Sequence, residues 1–141
     1  MQAKDMATDG RPQYKILMIE DNESICDILR FILEREGFEV ESAADGLAGE
    51  RLIGQSPPPH VVLLDVSLPF IDGFQLVRRI RENSVWEQVP IIMLSGHPNK
   101  SFIDQALSVG ANEYIVKPFQ RDELIQCIHR LVANQPAAES I

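Results

Sequence analysis

Four short apolar runs each end in polar residues, and this arrangement constrains the fold more than any other feature of the sequence. The runs and the residues that follow them are 16–19 with Glu20-Asp21, 61–64 with Asp65, 91–94 with Ser95, and 114–116 with Lys117-Pro118. Buried parallel strands read as continuous apolar runs, and ligands of open α/β sheets bind outside the carboxyl ends of the strands. These side chains would therefore form a charged pocket suited to a divalent cation and a phosphoryl group.

Segments with helical periodicity separate the strand-like segments. We predict strands at residues 15–20, 38–43, 61–65, 89–95 and 113–116, and helices that begin near residues 22, 45, 74, 101 and 121. Asp21 or Asn22 is the expected N-cap of the first helix, and Ser101 is that of the fourth. The helical side chains expected to face the core are Ile25, Ile28, Leu29, Ile32, Leu33, Leu47, Leu52, Ile53, Leu76, Val77, Ile80, Phe102, Ile103, Ala106, Leu107, Val109, Leu124, Ile125, Ile128, Leu131 and Val132.

This alternation of strand and helix predicts an α/β fold with a five-stranded, doubly wound parallel sheet. The expected strand order is 2-1-3-4-5, as in flavodoxin-like folds, so that the first and third strands are neighbours. Adjacent strands lie ~4.8 Å apart, which would bring Asp21 beside Asp65.

Length and composition limit the organisation of the chain and the classes of its partners. Its 141 residues predict about one domain, which we place at residues 14–133, with a flexible leader at 1–13 and a flexible tail at 134–141. The net charge of −8 argues against direct binding of nucleic acid or of an anionic membrane. No apolar run approaches the ~20 residues of a membrane span, and no signal-peptide core is present.

The two cysteines, Cys26 and Cys127, lie far apart in sequence and form no CxxC motif. We therefore predict reduced thiols in a cytoplasmic protein rather than a disulfide framework.

The predicted pocket has the chemistry of phosphoryl transfer to a carboxylate. Close carboxylates repel one another, and Mg²⁺ relieves this repulsion in sites with oxygen ligands only. The sequence offers no cluster of His and Cys ligands for zinc. With Lys117 and the ion neutralising charge, and Ser95 donating a hydrogen bond, an aspartyl phosphate could form on Asp65.

With these residues in place, the chain resembles a response-regulator receiver domain of two-component signalling, the CheY-like class. The resemblance covers about residues 14–133. It rests on an ordered set of residues: Glu20-Asp21, Asp65, Leu68-Pro69, Asp72-Gly73, Ser95-Gly96, Tyr114 and Lys117-Pro118-Phe119.

The resemblance implies a role for each matching residue. Asp65 would be the phospho-acceptor, and Lys117 and Ser95 would bind the phosphoryl group. Mg²⁺, with Mn²⁺ as an alternative, would be held by Glu20, Asp21, Asp65 and the Ser67 backbone carbonyl. Ser95 and Tyr114 would form the switch, Gly96 would leave room for the phosphoryl group, and Lys117-Pro118 would be a cis peptide.

The resemblance also implies partners and a mode of action. A histidine kinase or a histidine phosphotransfer protein would supply the phosphoryl group. Phosphorylation would switch the face built from the fourth helix, fifth strand and fifth helix. That face would control a downstream protein or output domain, and it could also pair two copies of the chain. Such a domain is a signalling switch rather than an enzyme, although it assists its own phosphorylation and autodephosphorylation.

Three further residues lie near the predicted site. Phe70 is an unusually apolar residue for an exposed loop, where it either packs locally or contacts a partner. His97 and Ser67 lie two residues after Ser95 and Asp65, respectively. We hypothesise that these two residues set the lifetime of the phosphorylated form.

Three other functions compete with this interpretation. A flavodoxin-like flavin carrier would need a phosphate cradle after the first strand, where this chain has Glu-Asp-Asn-Glu. A phosphatase with an aspartate nucleophile would need an acid two residues beyond it, and Ser67 occupies that position after Asp65. A degenerate receiver that acts as a docking module without phosphorylation is the third alternative, although the complete set of site residues argues against it.

Overall fold

The computed structural model describes residues 13–133 and residue 135, which contain five strands and five helices in alternation. The strands are β1 Lys15–Ile19, β2 Glu39–Ala43, β3 Val61–Asp65, β4 Ile91–Ser95 and β5 Glu113–Val116. The helices are α1 Glu23–Arg35, α2 Gly46–Gln55, α3 Gly73–Glu82, α4 Lys100–Val109 and α5 Arg121–Val132. The predicted leader and tail lie almost wholly outside the described residues.

The strands form one parallel sheet in the order β2-β1-β3-β4-β5, which confirms the predicted fold class and strand order. In this register Ile19 pairs with Leu64, and Asp65 pairs with Leu94. The carboxyl ends of the strands therefore meet along one side of the sheet, here called the carboxyl edge. The opposite side, where the strands begin, is called the amino edge.

Helices cover both faces of the sheet and enclose two apolar cores. Helices α2, α3 and α4 pack on one face, and α1 and α5 pack on the other. Every residue of β3 and β4 is buried. Because full burial of a large aliphatic side chain stabilises a fold by ~1.5–3 kcal/mol, these two central strands hold the carboxyl edge in place.

Several boundaries confirm the predictions and others do not. Strands β3 and β5 have the predicted limits, and Asn22 caps α1 by accepting a hydrogen bond from the Ile25 amide. Strand β4 begins at Ile91 rather than Val89, because Pro90 has no amide hydrogen for the ladder. The prediction that Ser101 caps α4 was wrong: Asn99, in an extended conformation, is the N-cap residue, and Ser101 lies inside the first turn.

Three helical side chains predicted to face the core are exposed instead. Ile28, Leu47 and Leu107 keep 60%, 41% and 47% of their surface accessible. Each lies at the margin of its apolar stripe, where periodicity does not separate the core from the surface beside it. The structure also buries Trp86, for which the sequence offered no periodic signal, and its indole donates to the Ser56 carbonyl at 3.0 Å.

Candidate functional site

Three polar or charged side chains are buried in the part of the chain that the structure describes, and all three lie at the carboxyl edge. They are Glu20, Asp65 and Ser95. Buried ionisable groups are costly unless they are paired, hydrogen-bonded or bound to a metal. Their placement together therefore marks this edge as a functional site rather than part of the core.

The backbone around the two buried acids is fixed by hydrogen bonds that continue the sheet beyond its strands. The amide of Glu20 donates to the Ala43 carbonyl at 3.1 Å, and the amide of Val66 donates to the Leu94 carbonyl at 3.2 Å. Helix α3 closes on the end of β3, since a Cβ at Gly73 would lie 2.5 Å from the Asp65 carbonyl oxygen. Glycine is therefore required there for close approach.

Lys117 bridges the two buried carboxylates. Its Nζ lies 3.3 Å from Glu20 Oε1 and 3.5 Å from Asp65 Oδ2. The second oxygen of Asp65 accepts a hydrogen bond from the Ser67 amide at 3.2 Å, and Glu20 Oε2 accepts one from the Asn22 amide at 3.1 Å. The geometry thus brings together Glu20, Asp65 and Lys117 as the sequence predicted.

The acidic residues can hold a metal ion. Oxygen atoms of Glu20, Asp21 and Asp65 lie within 4.8 Å of one another. With all three carboxylates charged, the site would carry two negative charges more than the Lys117 ammonium offsets, and a divalent cation would balance them. Oxygen-only donor sets of this kind suit Mg²⁺ or Mn²⁺, so the residues fit the predicted ion.

Burial raises the pKa of Glu20 above its ordinary value, and the charge of Asp65 acts in the same direction. The Asn22 amide and Lys117 oppose this shift without cancelling it. Without a metal ion, Glu20 is therefore held in an environment that disfavours its charged form.

Ser95 is buried at the end of β4, where its hydroxyl oxygen accepts a hydrogen bond from the His97 amide at 3.0 Å. The hydroxyl hydrogen remains available for donation to a ligand. The Lys117 amide donates to the Ser95 carbonyl at 2.7 Å, and the Lys117-Pro118 peptide is cis, as predicted. A Cβ at Gly96 would meet no atom within 4 Å, which agrees with the predicted open space beside Ser95.

Tyr114 is connected to the loop that follows β4. Its hydroxyl donates to the backbone carbonyl of His97 at 2.7 Å, while its ring packs against the core beneath α4. The imidazole of His97 stacks on the ring of Phe102, with centroids 4.1 Å apart and planes 6° from parallel. Sequence reasoning placed Phe102 in the core and missed this contact, because stacking between a loop and a helix leaves no periodic pattern.

A cavity of about 460 Å³ opens beside the acidic residues. Its lining includes Asp21, Ser67, His97 and Phe102. Phe70 lies on the loop that borders it, 75% exposed, with a φ of 72°. The Ile71 amide donates to the Pro69 carbonyl at 2.9 Å, so Phe70 is the central residue of a positive-φ γ-turn, a rare and strained conformation.

Comparison with known proteins identifies relatives of the chain. The family model described as "Response regulator receiver domain" matches residues 16–129. The phosphate regulon transcriptional regulatory protein PhoB of Rhizobium meliloti is 40% identical over 79% of this chain and 48% of its own length. The transcriptional regulatory protein CseB of Streptomyces coelicolor is 38% identical over 85% of this chain and 50% of its own length. The chain spans about half the length of these relatives.

Solved structures show the same fold. One of them is the receiver domain of sensor histidine kinase PA1611 from Pseudomonas aeruginosa, which has a magnesium ion coordinated in its active site cleft. Its TM-score is 0.80 and its sequence identity is 30%, and the match covers 86% of this chain and 99% of that one. The chemotaxis response regulator CheY4 of Vibrio cholerae has a TM-score of 0.79, with 30% identity over 84% of this chain and 98% of that one.

Proposed function

The chain belongs to the response regulator receiver domain family, and from this premise we propose that Asp65 accepts a phosphoryl group in a reaction that needs Mg²⁺ and uses Glu20, Asp21, Ser95 and Lys117. The observation that carries the proposal is the burial of the polar side chains Glu20, Asp65 and Ser95 at one edge of the sheet. A histidine kinase or a histidine phosphotransfer protein would be the natural donor.

The proposed reaction is an attack by one carboxylate oxygen of Asp65 on the phosphorus atom of a phosphohistidine. A P–O bond forms, the P–N bond breaks, and the imidazole leaves and takes up a proton. Lys117, which lies 3.5 Å from Asp65 Oδ2, would pair with the incoming negative charge. Ser95 would donate its free hydroxyl hydrogen to a phosphoryl oxygen.

When bound, Mg²⁺ would neutralise phosphoryl charge. The side chains of Glu20, Asp21 and Asp65 would hold it, together with the Ser67 carbonyl. Their oxygen-only chemistry and excess negative charge support this assignment. It also agrees with the raised pKa of Glu20, since a cation would favour the charged form of that carboxylate.

The switch is proposed to run from Ser95 through His97 to Tyr114. A phosphoryl group that draws the Ser95 hydroxyl toward it would shift the loop after β4. The Tyr114 hydroxyl is bonded to that loop through the His97 carbonyl at 2.7 Å. Phosphorylation would thereby bias two arrangements of the face formed by α4, β5 and α5, which controls a downstream protein or output domain.

An apolar groove beside the site supports a protein donor. It has a volume of about 410 Å³ and lies between α1 and the segment after β5. Ile28, which is unexpectedly exposed, lines this groove together with Lys117. A phosphohistidine protein seated in the groove would reach Asp65 because Lys117 borders both the groove and the site.

The decisive experiment is intact-mass analysis after incubation with acetyl phosphate and Mg²⁺. Wild type should gain one phosphoryl group, and Asp65→Asn should gain none. Asp72→Asn is the matched control, because Asp72 lies nearby as the N-cap of α3 and asparagine caps helices equally well. An equal adduct on wild type and Asp65→Asn would remove Asp65 from its proposed role.

Donor docking is tested separately with an autophosphorylated histidine kinase core that phosphorylates the wild type. Ile28→Asp should slow transfer from the kinase and leave the acetyl phosphate reaction unchanged. Leu47→Asp, an exposed leucine on α2, is the control and should affect neither reaction. Equal transfer rates for Ile28→Asp and wild type would rule out docking through the groove.

A further inference from the structure

The ring of Phe102 joins His97 to the core. Phe102 lies in the first turn of α4, and its centroid is 4.1 Å from that of His97 and 6.1 Å from that of Phe74 in α3. His97, which is exposed on its loop, therefore rests on the partly buried ring of Phe102, and that ring packs against the core.

The backbone of His97 is held at both of its polar groups. Its amide donates to Ser95 Oγ at 3.0 Å, and its carbonyl accepts from the Tyr114 hydroxyl at 2.7 Å. These bonds fix where the side chain begins, but they leave its rotamer free. The stack on Phe102 holds the imidazole in place.

The stacked pair forms one wall of the 460 Å³ cavity beside the site. Leu68 and Pro69 line it as well, and Asp21 and Ser67 place it next to the acidic residues. The Ser67 amide is bonded to Asp65 Oδ1 at 3.2 Å, so the cavity adjoins the proposed phospho-acceptor. His97 and the neighbour of Asp65 in sequence, Val66, therefore line the same cavity.

We infer that Phe102 is a positioning residue that holds the His97 imidazole as a wall of this cavity and thereby limits the access of water to phosphorylated Asp65. The inference rests on the proposed function, because it concerns hydrolysis of the aspartyl phosphate. In that step a water oxygen attacks phosphorus, the bond from phosphorus to the Asp65 oxygen breaks, and inorganic phosphate leaves with the carboxylate restored. The proton of the water passes to the solvent.

The test measures the rate of phosphate loss from protein phosphorylated with acetyl phosphate, after removal of the donor and in the presence of Mg²⁺. Phe102→Leu keeps apolar volume but removes the ring. Without the ring contact, the population of the displaced imidazole should rise by about two- to tenfold, and hydrolysis should accelerate by the same factor. His97→Ala should accelerate it similarly. The double variant should be no faster than the faster single variant, and Phe102→Tyr should retain the wild-type rate.

Two further measurements separate positioning from a loss of stability. Leu107→Ala, on the exposed side of α4, should leave the rate unchanged. In NMR spectra the ring-current shift of the His97 imidazole protons should disappear in Phe102→Leu and persist in Phe102→Tyr.

An unchanged or slower rate in Phe102→Leu, or accelerations that multiply in the double variant, would overturn the inference. Failure of wild type to form any adduct would instead overturn the proposed function, and this inference with it.

Discussion

The two edges of the sheet differ in their polar contacts. At the amino edge, the Arg81 guanidinium donates to the carbonyls of Gly110, Glu87 and Val89 and to Asn112 Oδ1, at 2.7–2.9 Å. All four acceptors are neutral. At the carboxyl edge, three carboxylates lie close together, and the two that are buried, Glu20 and Asp65, are paired with Lys117.

This difference separates stability from function within one small fold. Arg81 connects α3, the segment after it and the turn that precedes β5, so its hydrogen bonds hold α4 and β5 at the end remote from the site. The carboxyl edge instead keeps charged groups in an arrangement that remains unfavourable until a cation or a phosphoryl group binds. Residues that are arranged to bind a ligand commonly lower the stability of the free protein.

The largest expected effect comes from the amino edge. Arg81→Met should lower the free energy of unfolding by about 2–3 kcal/mol, because several hydrogen bonds from a charged donor are lost while some of the freed acceptors can turn to water. Denaturant unfolding measures the change. Phosphorylation by acetyl phosphate should be unaffected, since Arg81 is remote from Asp65.

The matched control for this variant is Arg78→Met on the exposed side of the same helix, which should change stability by less than about 0.5 kcal/mol. If Arg81→Met were as stable as Arg78→Met, the guanidinium would not be what holds the amino edge.

The contrast between the edges also explains how much the sequence could predict. Asp65, Ser95 and Lys117 follow apolar runs, and parallel pairing brings the ends of such runs to one edge, so their meeting follows from local patterns. Two of the four hydrogen-bond partners of Arg81, and the one of the Trp86 indole, lie about 30 residues away, where no local pattern indicates them. Ile28 and Leu107 were misassigned because a helical stripe does not indicate which of its margins is covered by a neighbouring element.

A change of intermediate size should come from the carboxyl edge, with the opposite sign. In EDTA at pH 7, Glu20→Gln should raise the free energy of unfolding by on the order of 1 kcal/mol, because burial disfavours the charged form of Glu20 more than Lys117 stabilises it. Glutamine removes that charge and keeps an acceptor for the Asn22 amide. Addition of Mg²⁺ should stabilise wild type more than the variant, since ligand binding to the folded state adds stability.

The sign of the pH dependence follows from the raised pKa of Glu20. The folded protein binds this proton more tightly than the unfolded chain, whose carboxyl titrates near 4.5. The stability of wild type relative to Glu20→Gln is therefore highest below that pH and is lost as the pH rises through the pKa of the folded state. Denaturant midpoints measured across this range in EDTA would contradict the account if the difference between the two proteins stayed constant.

The smallest expected effect concerns Phe70, whose strained γ-turn also belongs to the carboxyl edge. Phe70→Gly should stabilise the protein by about 0.5–1 kcal/mol, because glycine adopts a positive φ without the Cβ clash while its greater freedom in the unfolded chain offsets part of the gain. Phe70→Ala is the sharper control, since alanine removes the exposed ring but keeps the Cβ and hence the strain. If the glycine and alanine variants were equally stable, the positive φ at residue 70 would not be a source of strain. A gain confined to glycine would show that the loop beside the site, like the acids within it, is held in a conformation that lowers the stability of the free protein.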